Sequence, residues 1–167
     1  MAQTPPSAAF LLSHPAHLIA CGFGSGLSPI APGTAGSLFA WLSYAPLRML
    51  FPADAACAVF LLLAFALGVS ACQITGRALG EADHRSIVWD EIVPFWGVLM
   101  MTPADWRWQL VAFVCFRCYD IIKPPPASHF DAKMKNGLGV MMDDLIAAAY
   151  TVFSLAVIKA ALGPFFI

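Results

Sequence analysis

Long apolar runs without charged residues dominate the chain and set its predicted architecture. Asp54 and Arg77 enclose 22 uncharged residues, enough for one helical membrane crossing at about 20 residues. The other apolar runs are shorter or are interrupted by proline or charge, and the short alternating segments typical of membrane barrels do not appear. The pattern predicts helices over residues 37–53, 55–76, 91–103, 107–122 and 144–163.

Composition strengthens the membrane interpretation. Of the 167 residues, 60% are hydrophobic and 11% are charged, whereas soluble domains are about 45–50% apolar and about 25% charged. A soluble domain of this length exposes too much surface to hide so many apolar side chains. We therefore expect an all-α protein: a compact helical integral membrane protein with about five membrane-embedded helices, some short or re-entrant, forming a single domain over residues 1–167.

Charge is concentrated in one part of the sequence. Sixteen of the nineteen charged residues lie between Arg77 and Asp144, and none precedes Arg48. The net charge of −1 offers no surplus to attract a polyanion, so nucleic acid is not an expected partner. No obligate protein partner is evident either. The charged region is therefore where function is expected.

Carboxylates occur as two adjacent pairs, Asp90–Glu91 and Asp143–Asp144, with Asp120 as a fifth acid in an apolar context. Such groups are costly in membrane segments and indicate function, and together they repel unless a cation neutralises them. Mg²⁺ prefers hard oxygen ligands and completes its shell with water and phosphate. Both pairs are predicted metal ligands, and all five acids are candidate catalytic groups. Alternatively, Asp143 caps the last helix and the first pair simply reaches the interface.

Basic groups with phosphate-binding chemistry accompany these acids. Arg117, Asp120 and Lys123 are spaced three residues apart, so successive members are neighbours on a helical face. Arginine offers phosphate a planar fork and lysine a point charge. We predict that Arg117 and Lys123 bind substrate; the alternative is an ion triad satisfied within its own helix.

A glycine-rich segment, residues 22–37, runs directly into the first long apolar stretch. Glycines and hydroxyls before a helix allow backbone N–H groups to converge on an anion. We therefore predict phosphate contacts from Gly33, Thr34, Gly36 and Ser37. Small residues also serve close helix packing in membranes, so that alternative stays open.

Four ordered motifs resemble the phosphatidylglycerophosphatase A family of bacterial membrane phosphatases. They are HLIACGFGSGLSPIAPGTAGS (17–37), DHRSIVWDEIV (83–93), FRCYDIIKPPP (116–126) and GLGVMMDDLIAA (137–148). The resemblance implies a Mg²⁺-dependent phosphoric monoester hydrolase that removes the terminal phosphate of phosphatidylglycerophosphate and yields phosphatidylglycerol. It further implies a phospholipid substrate drawn from the bilayer and a location in the bacterial inner membrane.

A topology in which helices alternate in direction places the glycine-rich segment and all acidic regions on one side. Five basic residues then lie on that side and three on the other, a small excess that agrees with a cytoplasmic location of that side by the positive-inside rule. The competing function is a small ion- or proton-coupled transporter that uses intramembrane carboxylates. A transporter leaves the glycine-rich segment and the Arg–Lys pair without a role, and a purely structural subunit leaves the acids unexplained.

Overall fold

Helices make up the regular structure of the computed structural model, which describes residues 5–125 and 134–162. No strand occurs within those ranges. The elements are α1 (Ala8–Ser13), α2 (Pro15–Ala20), a short 3-10 helix (Gly22–Leu27), α3 (Pro32–Leu50), α4 (Asp54–Leu79), α5 (Trp89–Met101), α6 (Trp106–Ile122) and α7 (Gly137–Leu162). The predicted all-α class is confirmed, and helices α3 to α7 correspond to the five predicted helices.

The short helix α5 lies at the centre of the packing. Its 13 residues extend about 20 Å, less than the roughly 30 Å of a bilayer's hydrocarbon core. It contacts α3, α4, α6 and α7. The indole N–H of Trp89 donates to the carbonyl of Ala64 at 3.0 Å, and that of Trp96 to the carbonyl of Ala40 at 2.9 Å. These hydrogen bonds fix α5 between α3 and α4.

Helices α4 and α7 are the two described helices that are long and apolar enough to cross a membrane, judged by length and composition alone. Both have 26 residues. Each also presents large apolar side chains outward, including Leu62 and Leu67 on α4 and Phe153 and Val157 on α7. An apolar exterior of this kind is typical of a protein that meets lipid or a partner.

Helix α3 begins at Pro32, not at residue 37, so the prediction that residues 33–36 precede the helix is wrong. Proline suits the first helical position because its fixed φ matches the helix and its missing N–H is not needed there. A Cβ on Gly33 would overlap Glu91, and one on Gly36 would lie 2.7 Å from the Cβ of Val88. These glycines therefore allow close packing inside a helix.

Helix α7 begins at Gly137, seven residues before the predicted start. The Asn136 side chain accepts a hydrogen bond from the Gly139 N–H at 2.9 Å, as a helix cap does. A Cβ on Gly137 would overlap the carbonyl oxygen of Val69 in α4. Asp143 thus lies two turns inside the helix, and the alternative that it caps the helix is wrong.

Candidate active site

The five predicted carboxylates meet in one cavity, which we call the carboxylate cavity. Its volume is about 230 Å³. Three helices supply these five acids: α5 at its first turn, α6 at its last turn and α7 at its second turn. The lining residues are Asp83, Arg85, Ile87, Asp90, Glu91, Asp120, Ile121, Lys123, Asp143 and Asp144. Side chains distant in sequence therefore form one charged site at the end of an apolar helix bundle.

Most of these acids are deeply buried. The two adjacent pairs are between 3% and 8% exposed. Oδ1 of Asp90 and Oε2 of Glu91 have no hydrogen-bond partner among the described residues. A buried ionised oxygen without a partner is strongly disfavoured, and neighbouring acids add repulsion. The cavity therefore has the chemistry of a cation site.

The donor set fits Mg²⁺, because it consists of carboxylate oxygens. No three His, Cys, Asp or Glu side chains of the described residues are already arranged as a metal cage. Mg²⁺ does not need one, since it is usually held by one or two carboxylates and completed by water and substrate phosphate. Asp90, Glu91, Asp143 and Asp144 are the carboxylates of the cavity that could serve as such ligands.

Arg117 joins α3, α5 and α6 at the site. Its Nη1 donates to Oδ2 of Asp120 at 2.8 Å, to Oγ of Ser37 at 3.3 Å and to Oε1 of Glu91 at 3.4 Å. Its Nε is buried without a hydrogen-bond partner in the described part of the chain. The predicted pairing within α6 is present between Arg117 and Asp120, yet the guanidinium also reaches toward the metal-ligand candidates.

Lys123 does not complete the ion triad within α6. It follows the end of the helix in a left-handed conformation, with φ of 48°. Its ammonium contacts Asp143 and lies 4.0 Å from Asp83. The turn thus directs Lys123 across the cavity to α7, which replaces the alternative of a triad confined to one helix.

The predicted phosphate-binding residues of α3 border the same site. Gly33 and Gly36 lie against the Glu91 carboxylate, and Ser37 accepts from Arg117. The N–H groups of Gly33 and Thr34 belong to the first helical turn, where no carbonyl of the helix can accept them. The alternative of close packing is therefore confirmed for the two glycines, and phosphate binding by this segment stays a prediction.

Sequence reasoning missed Asp83 and Arg85, which line the cavity. Arg85 also donates from Nη2 to the carbonyl of Pro29 at 2.9 Å, tying its turn to the segment before α3. Their position in the DHRS stretch, shortly before Asp90, was the feature of the sequence that could have indicated their place in the cavity. The neighbouring His84 is structural: it is buried, its Nδ1 accepts the Ser86 N–H at 3.2 Å, and burial lowers its pKa.

Comparison with known proteins identifies the family. The phosphatidylglycerophosphatase A family profile matches residues 18–159, which include every element of the site. The chain belongs to the phosphatidylglycerophosphatase A family. This confirms the resemblance and the predicted enzyme class, a phosphoric monoester hydrolase.

Relatives of this phosphatidylglycerophosphatase A family member are similar over most of their length. A phosphatidylglycerophosphatase A from Haemophilus influenzae is 43% identical over 160 residues, covering 95% of this chain and 98% of the relative. One from Escherichia coli is 44% identical over 142 residues, covering 81% and 78%. A Bacteroides thetaiotaomicron protein provisionally named phosphatidylinositol-3-phosphatase is 39% identical over 153 residues, covering 87% and 94%. No solved structure gives a significant match. All three names describe phosphatases, so the transporter alternative is not favoured.

Proposed function

We propose that this chain removes the terminal phosphate of phosphatidylglycerophosphate in a Mg²⁺-dependent reaction and releases phosphatidylglycerol. The observation that carries the proposal is the carboxylate cavity, where five acids face Arg117 and Lys123 at one end of an apolar helix bundle. Acids suit a cation and basic groups suit a phosphate ester. The names of the two phosphatidylglycerophosphatase relatives supply the substrate.

The metal would be held by Asp90 and Glu91 from α5 and by Asp143 and Asp144 from α7. Bound there, Mg²⁺ would acidify a bound water and polarise the phosphoryl group. The partnerless oxygens of Asp90 and Glu91 support this assignment. Two helices supply these four carboxylates, so docking of α7 against α5 is required before the proposed ligand set exists.

The basic groups and the start of α3 would bind the phosphate. Arg117 and Lys123 would hold the phosphate oxygens, with the first-turn N–H groups of α3 and the Ser37 hydroxyl beside them. Their task is to stabilise the charge that shifts to the leaving glycerol oxygen. Asp120 is the carboxylate proposed to accept the proton of the attacking water.

The proposed location is the bacterial inner membrane, crossed several times, with the carboxylate cavity facing the cytoplasm. Two long apolar helices and the outward apolar side chains of α4 and α7 support an integral membrane protein. The excess of basic residues on the side of the cavity supports the orientation.

Phosphate release by purified protein in detergent micelles tests the function. We expect turnover of phosphatidylglycerophosphate with Mg²⁺, no turnover with EDTA, and lower kcat/KM on phosphatidylinositol 3-phosphate. Asp90→Asn and Asp144→Asn should each reduce kcat by at least about a hundredfold. Asp54→Asn is the matched control, because Asp54 forms an exposed pair with Arg48 outside the cavity. Full activity in EDTA, or in either cavity variant, would contradict the proposal.

The stereochemical course tests direct attack by water. One in-line displacement inverts configuration at phosphorus, whereas a phosphoenzyme formed on a carboxylate and then hydrolysed retains it. With a substrate made chiral at phosphorus by oxygen isotopes, we expect inversion, because the chain has none of the usual phosphatase nucleophile motifs. Retention, or a phosphoaspartate trapped by rapid quenching, would assign the nucleophile to one of the acids instead.

A further inference from the structure

A second and larger cavity is lined by the residues that follow the acids along α5 and α7, together with α4. It is an open groove of about 930 Å³ between α4, α5 and α7, and all sixteen of its lining residues are apolar or glycine. Val93 and Val98 of α5 are buried along its floor, while Leu62, Met101 and Phe153 on its rim are 67–71% exposed. We call it the α4/α5/α7 groove.

The groove starts where the carboxylates end. On α5 its first lining residue, Val93, follows Glu91 by two positions, and on α7 Leu145 directly follows Asp144. Both helices run away from the cavity at this point. The groove therefore continues the carboxylate cavity into the apolar part of the bundle, so that a polar group and an apolar chain on one molecule can occupy the two together.

The length of the groove corresponds to one leaflet. Along α7 it extends from Leu145 to Ala156, roughly 16 Å at about 1.5 Å per residue. Half of a hydrocarbon core of about 30 Å is about 15 Å. A lipid whose phosphate lies at the carboxylates can therefore lay an acyl chain along the groove at its natural depth.

Gly97 keeps the groove open. It lies within α5, and a Cβ built on it would meet nothing within 4 Å, so no neighbour requires a glycine there. Glycine inside a helix costs roughly 0.5–1 kcal/mol relative to alanine. Gly97 lines the groove and faces open space. Because it has no side chain, it leaves room for an occupant of the groove.

We propose that the α4/α5/α7 groove binds one acyl chain of the substrate lipid and thereby positions its phosphate at the carboxylates. This inference rests on the proposed function, since it takes the substrate to be a diacyl phosphate ester. An acyl chain that moves from the bilayer into the groove gains little hydrophobic free energy, because both surroundings are apolar. The contribution of the groove is therefore orientation: packing along the chain fixes the headgroup in its reactive position.

Filling the groove tests the inference by kinetics. Gly97→Leu adds a side chain at a groove position where a Cβ meets nothing within 4 Å. Its matched control is Ala56→Leu, in a separate apolar hollow of α4. On dipalmitoyl phosphatidylglycerophosphate we expect Gly97→Leu to lower kcat/KM about tenfold, the scale of a methylene misfit in an apolar pocket. The deacylated headgroup ester should be hydrolysed equally by both variants and by the unmodified protein. Unchanged kcat/KM on the lipid, or an equal loss on the deacylated ester, would overturn the proposal.

A binding measurement separates this inference from the proposed function. The probe is phosphatidylglycerophosphate with a diazirine in one palmitoyl chain, photolysed in EDTA so that no turnover is needed. We expect crosslinks on groove residues of α5 and α7, reduced in Gly97→Leu, retained in Ala56→Leu, and displaced by excess phosphatidylglycerol more readily than by phosphatidylcholine. Equal displacement by both lipids would mean ordinary lipid contact and would reject a substrate site. If the protein releases no phosphate but still crosslinks selectively, the proposed reaction is rejected and the groove inference stands.

Discussion

At the residue scale, the carboxylate cavity depends on glycines, which leave room for close contacts, as well as on its charged side chains. Glu91 reaches α3 because Gly33 and Gly36 have no Cβ there. The same approach brings Arg117 to within 3.4 Å of Glu91 and 3.3 Å of Ser37. Close contact between helix backbone and charged groups is therefore part of how the site is assembled.

Of two alanine substitutions in α3, one should lower activity and the other should lower stability. In Gly33→Ala the new Cβ overlaps the end of the flexible Glu91 side chain, so we expect kcat to fall at least tenfold while thermal stability is kept. In Gly36→Ala the Cβ meets the stiff, β-branched Val88 at 2.7 Å, so we expect a loss of about 1–3 kcal/mol in unfolding free energy.

Phosphate release and thermal unfolding in the same detergent measure both effects. Full activity in Gly33→Ala would show that the position of Glu91 against α3 does not matter for the reaction. The unmodified protein serves as the reference for both measurements.

At the element scale, the apolar pattern predicted the helices but not where two of them begin. The predicted helices begin at residues 37 and 144, which leaves the glycines at 33, 36, 137 and 139 outside them, and glycine does weaken isolated helices. Tertiary packing nevertheless places these glycines inside helices, where Gly36 lies against Val88 and Gly137 against the backbone of Val69. A partner helix distant in sequence imposes this requirement, so a local pattern does not reveal it.

The start of α7 should therefore be sensitive to a single methyl group. Gly137→Ala places a Cβ against a backbone carbonyl that cannot rotate away, and we expect it to lose about 1–3 kcal/mol in unfolding free energy. Gly97→Ala should gain up to about 1 kcal/mol, because alanine favours helix and the site is open. Denaturation by SDS titration measures both, and equal stability of the two variants would contradict the close packing of α7 on α4.

At the scale of the whole molecule, the acids could be assigned to one site from sequence because charge is expensive in apolar segments. Asp90, Glu91, Asp120, Asp143 and Asp144 do line one cavity. Asp83 and Arg85 were missed because they lie in a turn, where no periodicity shows which way a side chain points. Lys123 lines the same cavity, but its contact with α7 depends on its left-handed backbone conformation, which the spacing did not indicate.

The proposed topology predicts where water-soluble reagents can reach. Glu81 lies in the turn between α4 and α5, beside the cavity, and Ala53 lies at the opposite end of α4; both are exposed. In a background without the five native cysteines, Glu81→Cys and Ala53→Cys should react with an impermeant maleimide from opposite faces of membrane vesicles. Glu81→Cys should react from the cytoplasmic face. Reaction of both from one face would refute a membrane-spanning α4.

The ribosome delivers the two carboxylate pairs of the cavity at different times. Roughly fifty residues separate Glu91 from Asp143, so about 3 to 10 seconds of synthesis pass between them at 5–20 residues per second. During that interval the nascent chain contains α5 and α6 but lacks Asp143 and Asp144 of α7. If these two acids act as proposed, we expect a newly inserted chain to be inactive until α7 docks, so the onset of activity would report that α7 is in place.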